Sequence, residues 1–269
     1  MKKIIIIISL FILTGCYNYT EINSIKLVNG IYIDYKNNKY IGYFDIKKNI
    51  NVEASSINEL FRNFEESISK KPFYAHLKVL VISKEILTHH FDDVIEFFLR
   101  NNEIRNNFYL VVSDDIKNLD SDYIKNIITN ENLVPTSTLF KDILTSYLGK
   151  KNIIVPIIKE NNKKYLITGS VIKSKNKYKE YNLDETRLLR IIYKKYPNVN
   201  YKNINIYQSK IKNKDKVYVY LNAELKDKSK TDIKYDLKND LKKIIKDIYN
   251  KELILKMDIN RNGQILNHE

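Results

Sequence analysis

The sequence predicts an α+β protein of more than one domain, with mixed sheets flanked by helices. Three observations carry that prediction. Apolar segments of period two, rich in Ile, Val and Tyr, are interspersed with segments of 3.6-residue period, without the strict alternation of a doubly wound sheet. At 269 residues the chain exceeds the ~100–200 residues usual for one domain. Its composition is that of a folded chain: 43% hydrophobic, with six glycines and four prolines, too few for a collagen-like or linker sequence. A single cysteine rules out an internal disulfide or a multi-cysteine zinc site, so the core is ordinary apolar packing. The net charge of +14 invites a nucleic-acid reading. Lysine, however, far outnumbers arginine, the better bidentate reader of phosphates and bases, and the accompanying Asn, Ile and Tyr reflect an AT-rich coding sequence. No nucleic-acid partner is expected.

The first sixteen residues read as a secretory signal. Lys2 and Lys3 form a basic start, residues 4–13 are apolar apart from Ser9, and Thr14, Gly15 and Cys16 follow. The apolar run is about half the ~20 residues a helix needs to cross a membrane. The order Leu13, Thr14, Gly15, Cys16 resembles the lipobox of bacterial lipoproteins. Small residues leave room for the peptidase, and the Cys16 sulfur is the nucleophile that takes a diacylglyceryl group as a thioether. Cleavage before Cys16 then leaves an acylated amino terminus. Removing fifteen residues from 269 leaves 254, and losing two lysines lowers the charge from +14 to +12. The lipid on Cys16 is the one covalent group expected, with no other cofactor. Two acyl chains, at ~0.8 kcal/mol per buried methylene, hold such a protein stably on the extracytoplasmic face. The expected organisation is a signal peptide at 1–15, an α+β domain at 16–132, a middle domain at 133–197 and a C-terminal α+β domain at 198–269.

Within the mature chain, residues 27–34 and 39–46 read as a β-hairpin across a polar turn. Ser56 and Glu59 form a Ser-x-x-Glu capping box for a helix with Ile57, Leu60, Phe61, Phe64 and Ile68 on one face, closed by Pro72. Residues 77–83 form a short strand, followed by a helix buried through Val94, Ile95, Phe98 and Leu99. Residues 108–113 are a strand, and Ser121 caps a helix carrying Ile124, Ile127 and Ile128. After Pro135, Ser137 caps a helix with Leu139, Ile143, Leu144 and Tyr147 on one side, and Gly149 is placed as its left-handed terminator. Residues 165–173 form a strand containing Gly169. Asp184 caps a helix bearing Leu188, Leu189 and Ile192 that ends before Pro197. Residues 203–211 and 216–225 pair as strands. A long helix over about 231–250 follows, with Ile233, Leu237, Leu241, Ile244 and Ile248 as its stripe.

Catalytic signatures are lacking. The sequence has no Gly-x-Gly-x-x-Gly fingerprint, no phosphate-binding Gly-Lys-Ser/Thr and no Gly-x-Ser-x-Gly elbow. Adjacent His89 and His90 point apart on either kind of element and make a poor metal pair. The paired carboxylates Asp92 and Asp93, Asp114 and Asp115, and Asp120 and Asp122 stand beside caps and turns, where acidic residues satisfy free backbone N–H groups. No metal site and no enzyme activity are expected.

Four stretches together resemble the Ger(x)C family, the lipoprotein C subunits of spore germinant receptors. The first is Cys16, Tyr17, Glu21 and Ile22 with the apolar, glycine-containing segment 27–34 ending in Asp34. The second is His76 with the apolar strand through Ser83, Lys84 and Glu85. The third is Phe97, Phe98, Leu99 and the Arg-x-x-Glu-x-Arg pattern of Arg100, Glu103 and Arg105. The fourth is Thr168, Gly169, Ser170, Val171 and Ile172, followed by Leu183, Asp184, Glu185 and Thr186 at a turn into a helix. Tyr17 stands where the family usually has tryptophan.

The resemblance implies a non-enzymatic scaffold or assembly subunit on the outer face of the inner spore membrane. Its partners would be membrane lipid, a permease-like subunit and a second multi-spanning subunit. Arg100, Glu103 and Arg105 would form an interaction site or a solvated structural cluster in which the carboxylate bridges the guanidinium groups. Family members usually continue beyond the segment that starts near Met257, so the last domain is expected to be incomplete. The rival readings are a lipid-anchored solute-binding protein of a transporter and an anchored cell-envelope hydrolase.

Overall fold

Paired Asn37 and Asn38 both adopt positive φ, 52° and 61°, and this tight left-handed turn sets the register of the first hairpin. In the computed structural model the described residues are 24–46, 49–114, 116, 119–130, 134–162, 164–174, 177–193, 198–202, 204–225, 232–261 and 264–266. Leu13, Thr14, Gly15 and Cys16 lie outside them, as do Tyr17, Glu21, Ile22, Asp115 and Pro197, and so does the side chain of Ile233.

The chain begins with β1 (Ile25–Leu27), which pairs in parallel with β5 (Lys71–Phe73) as a separate two-stranded ribbon. Strands β2 (Gly30–Lys36), β3 (Lys39–Asp45) and β4 (Asn49–Ala54) form an antiparallel meander. β6 (Val79–Ile82) and β7 (Tyr109–Val112) add in parallel to β2. β8 (Ile153–Asn161), β9 (Lys164–Ser174) and β10 (Lys177–Asn182) complete an eight-stranded sheet of order β10-β9-β8-β7-β6-β2-β3-β4. Strands from both sides of residue 133 therefore share one sheet. Pro156, which cannot donate to a ladder, is accommodated in β8 where β7 contributes only the pairing of Val112 with Ile157.

Both faces of this sheet are covered, which is why β6 reads as a continuous apolar run. Leu80 and Ile82 face one core with α1 (Ile57–Glu66), α2 (Lys84–His89), α3 (Phe91–Arg100) and α5 (Phe140–Leu148), while Val79 and Val81 face another with α4 (Ser121–Asn130). Aromatic contacts fix the first layer: Phe44 stacks on Phe64 with ring centroids 3.8 Å apart, Phe61 meets Phe97 at 4.1 Å, and Phe108 meets Phe140 at 4.7 Å. The third core belongs to a five-stranded sheet of β11 (Val199–Tyr201), β12 (Ile204–Asn213), β13 (Val217–Leu225), β14 (Leu253–Arg261) and β15 (Gln264–Leu266), with α6 (Leu183–Tyr193) and α7 (Asp232–Tyr249) packed on it. α7 connects β13 to its parallel neighbour β14 and buries Leu237, Leu241, Ile244 and Ile245.

The elements arise largely as the sequence predicts, but several boundaries differ for identifiable reasons. Ser56 Oγ accepts the Glu59 N–H at 3.2 Å, yet the Glu59 carboxylate reaches Ser55 rather than Ser56, one residue beyond a regular capping box. α1 ends at Glu66, and Pro72 is a buried member of β5 instead of its terminator. The predicted helix after residue 83 is two helices, with Phe97 buried where Leu99 was expected. Asp120, not Ser121, caps α4 through the Tyr123 N–H at 2.9 Å, because Ser121 turns inward to donate to Asp45 at 2.7 Å. Residue Leu139 occupies the α5 cap position, and Gly149 has φ −75°, leaving the left-handed conformation to Lys150 at 53°. Asn182 and Glu185 form a reciprocal capping box on α6, each backbone N–H held at 2.9 Å, in place of the expected Asp184.

Candidate functional site

Three parallel strands, β2, β6 and β7, end at one edge of the large sheet, so residues far apart in sequence converge there. Asp34 lies near the end of β2, Ser83 and Lys84 follow β6, and Asp114 follows β7. Asp34 is buried, accepts the Tyr35 N–H at 2.8 Å and meets Lys36 Nζ at 2.6 Å. That hydrogen bond holds the Lys36 ammonium above its usual pKa. Behind it, burial first and then the negative charges of Asp34 and Asp114 push the Tyr32 phenol upward, so it stays neutral.

A second set of contacts joins this edge to α2 and β10. Ser83 Oγ caps α2 by accepting the Ile86 N–H at 3.2 Å, and Asp114 accepts the Lys84 N–H at 2.7 Å. Lys84 Nζ then stands between Asp114 at 3.5 Å and Glu180 at 2.8 Å, while Tyr178 donates to Glu180 at 2.7 Å. Burial opposes both charges. Their mutual hydrogen bond and attraction outweigh it, leaving Glu180 below the usual carboxylate range and Lys84 above the usual ammonium value. Asp34, Lys36, Asn38, Ser83, Glu85 and Asp114 line a shallow cleft of about 420 Å³. Lys36 and Lys84 offset the carboxylates of Asp34, Glu85, Asp114 and Glu180 only in part, so the cleft keeps a net negative charge. Among the described residues no group of three or more His, Cys, Asp and Glu side chains could hold a metal. The arrangement locks strand ends to a helix start and presents a polar, concave edge.

The predicted site residues lie elsewhere. Arg100 closes α3 and pairs with Glu96 at 2.7 Å, Glu103 pairs with Lys71 of β5 at 3.4 Å, and Arg105 is exposed. Glu103 thus ties its loop to the two-stranded ribbon rather than bridging the two arginines. His90 packs on Tyr35 with ring centroids 3.8 Å apart, and His76 lies against Phe73. Asp92 accepts from Tyr147 at 2.8 Å, Asp93 accepts from Tyr40 at 2.5 Å, and Asp122 pairs with Lys78 at 2.7 Å. Asp114 and Asp120 accept backbone N–H groups at helix starts, as expected beside caps, whereas Asp92, Asp93 and Asp122 bind distant side chains instead.

Gly169, Ser170, Glu185 and Thr186, quoted from the fourth resembling stretch, come together as a structural seam. The Ser170 and Thr186 hydroxyls are 2.9 Å apart and buried. Buried Glu185 caps α6 and pairs with Lys243 of α7, whose ammonium it holds above its usual value. Nearby, Lys179 and Tyr181 of β10 both bind Asp247 of α7, at 2.5 and 3.2 Å. The motif therefore joins the large sheet to the C-terminal unit. The carboxyl-edge cluster, by contrast, escaped the sequence reading. Asp34, Ser83, Lys84 and Glu85 stand in the first two resembling stretches, and Asp34, Ser83 and Asp114 each end or follow an apolar strand, but nothing in the sequence shows that they meet.

Residues 18–160 match a family model described as the spore germination protein N-terminal domain, which is more than half of the chain. The chain belongs to the Ger(x)C family of spore germination proteins. Membership makes it a homologue of germinant receptor C subunits. Among solved structures it is similar to the GerBC protein, at 14% identity and a TM-score of 0.48, over 87% of this chain and 97% of that one. It is also similar to the sex pheromone staph-cAM373 precursor, at 10% identity and a TM-score of 0.18, over 57% of this chain and 61% of that one. No curated protein matches it. The Ger(x)C match takes in the ribbon, the Arg100 to Arg105 region and the carboxyl edge up to β8; β9, β10 and the seam lie beyond it.

Proposed function

We propose that this Ger(x)C protein is the lipid-anchored, non-enzymatic C subunit of a spore nutrient germinant receptor, serving scaffolding and assembly. The observation that carries the proposal is the family match over residues 18–160 immediately downstream of Leu13, Thr14, Gly15 and Cys16. A thioether lipid on Cys16 would hold the body at the extracytoplasmic face of the inner spore membrane. Confinement to that surface raises the effective concentration of weakly bound partners, here a permease-like subunit and a second multi-spanning subunit. The polar, concave carboxyl edge, with its excess of carboxylates, supports a binding role. No helix among the described residues is long and apolar enough to cross a membrane. Deleting the gene tests the proposal: nutrient-triggered germination is lost or slowed for at least one nutrient. An unchanged response to every nutrient, in a strain stripped of paralogues, overturns it.

A further inference from the structure

The ribbon of β1 and β5 sits at the edge opposite the carboxyl-edge cleft. β2, β6 and β7 all start there, with Gly30, Val79 and Tyr109 in register. The ribbon runs into that edge through Val28 and Asn29: the Val28 N–H donates to Phe73 O at 3.2 Å, extending the ribbon, and the Lys78 N–H donates to Asn29 O at 2.8 Å, extending the pairing of β2 with β6. On the ribbon, Leu27 and Phe73 are directly paired across the strands, and both are exposed, at 43% and 36%. Single exposed apolar residues need no explanation, but an adjacent pair on one face is a sticky spot. Lys26, Lys70 and Lys71 lie on or beside the ribbon, three positive charges against the one negative charge of Glu103, which pairs with Lys71 at 3.4 Å.

We infer that this ribbon is a membrane-contact surface: Leu27 and Phe73 enter the headgroup region of an anionic bilayer while the basic rim meets lipid phosphates. The inference rests on the proposed acylation of Cys16 and adds an orientation to it. Eight residues lie between Cys16 and Ile25, and the nine steps from one to the other reach at most about 30 Å when fully extended. A body of 254 residues is about 45 Å across. The tether is therefore shorter than the body is wide, and it enters through β1. The ribbon edge is held toward the bilayer and the carboxyl-edge cleft, at the other end of the same strands, is held away from it. Chain length sets the orientation, and apolar burial with charge complementarity fixes it.

The chain contains no tryptophan and one cysteine, which makes the test direct. A maleimide phospholipid is coupled to Cys16 of the mature chain, and the conjugate is bound to phosphatidylglycerol vesicles containing brominated lipid. Two variants are compared, Phe73→Trp on the ribbon and Lys39→Trp at the carboxyl edge, after circular dichroism has shown both folded. The expected result is that Phe73→Trp loses about half its emission to bromine quenching, as for a side chain buried at the acyl boundary, and Lys39→Trp loses none. Equal quenching at both positions, or none at Phe73→Trp in a conjugate that sediments with the vesicles, overturns the inference. Because the lipid is attached chemically, that failure is distinct from finding Cys16 unmodified in spores, which would overturn the anchoring itself.

Discussion

A methyl group added at Gly169 would stand 2.1 Å from the Tyr181 carbonyl oxygen, on the strand paired with it. Backbone cannot retreat as a side chain can, so Gly169→Ala is expected to cost about 1–3 kcal/mol or more by overpacking. A lowered urea midpoint at constant slope would show it, and an unchanged midpoint would refute the close approach. At the same seam, Glu185→Ala removes the cap on Asn182 and the partner of Lys243 together. The expected loss is about 1–2 kcal/mol, of the size of a lost helix cap, with Glu185→Gln recovering the cap but not the ion pair. Thermal unfolding of the two variants separates those contributions. Glu185 and Thr186 stand in the sequence as part of a family-like stretch, but the cap is expected there at Asp184, although a carboxylate three residues after Asn182 fits a capping box. That Lys243, 58 residues later, would reach Glu185 was not legible, because nothing local encodes which helix packs against which.

α2 owes its position to side chains from three strands: Ser83 caps it, Asp114 holds its first N–H, and Glu180 of β10 holds Lys84. Glu180 has a folded pKa below its unfolded value, so its contribution is present above the unfolded carboxylate range and is lost as pH falls through that range and below it. The Glu180→Gln variant should therefore be less stable than the parent at neutral pH, and the two should converge in acid. Its side chain is 42% exposed, so solvent screening keeps the difference small. Parallel melting curves at all pH values would contradict this coupling. Helices were read well wherever an apolar stripe was long, as in α1 and α7, since burial of one face dominates their stability. Caps were read less well: Asp120 and Asn182, one and two residues before the chosen Ser121 and Asp184, do the capping. Competing polar residues can satisfy the same N–H groups, and tertiary partners such as Asp45 decide between them. The short or polar strands β1, β4, β5, β10, β11 and β15, and the longer β8 and β14, are not predicted from the sequence. β10 breaks the alternation with consecutive Lys179 and Glu180, β4 is a short edge strand with only two large apolar residues, and β8 carries a proline.

Across the whole molecule, strand order was the least legible feature. The α+β class follows from interspersed periodicities, but an eight-stranded sheet spanning residue 133 depends on pairings between segments that carry no mark of each other. The carboxyl-edge cluster is a product of that order, which is why it surfaced only with the topology. A global consequence is alkaline sensitivity. Tyr165 is buried, and burial with the nearby Glu160 charge pushes its phenol up to about 12. A folded pKa above the ordinary value of ~10 means that its contribution is intact below that pH and is lost as pH rises toward 12. Unfolding should accordingly coincide with the late part of the tyrosinate absorbance change, whereas complete titration of all tyrosines in a still-folded chain would contradict the buried phenols. The functional account stands on Cys16 carrying lipid upstream of a Ger(x)C body. Intact-mass spectrometry of the protein extracted from spore inner membranes measures this most directly: a chain starting at Cys16 with a diacylglyceryl mass increment is the predicted product, and a chain with an unmodified thiol, or one recovered only from the soluble fraction, would contradict it.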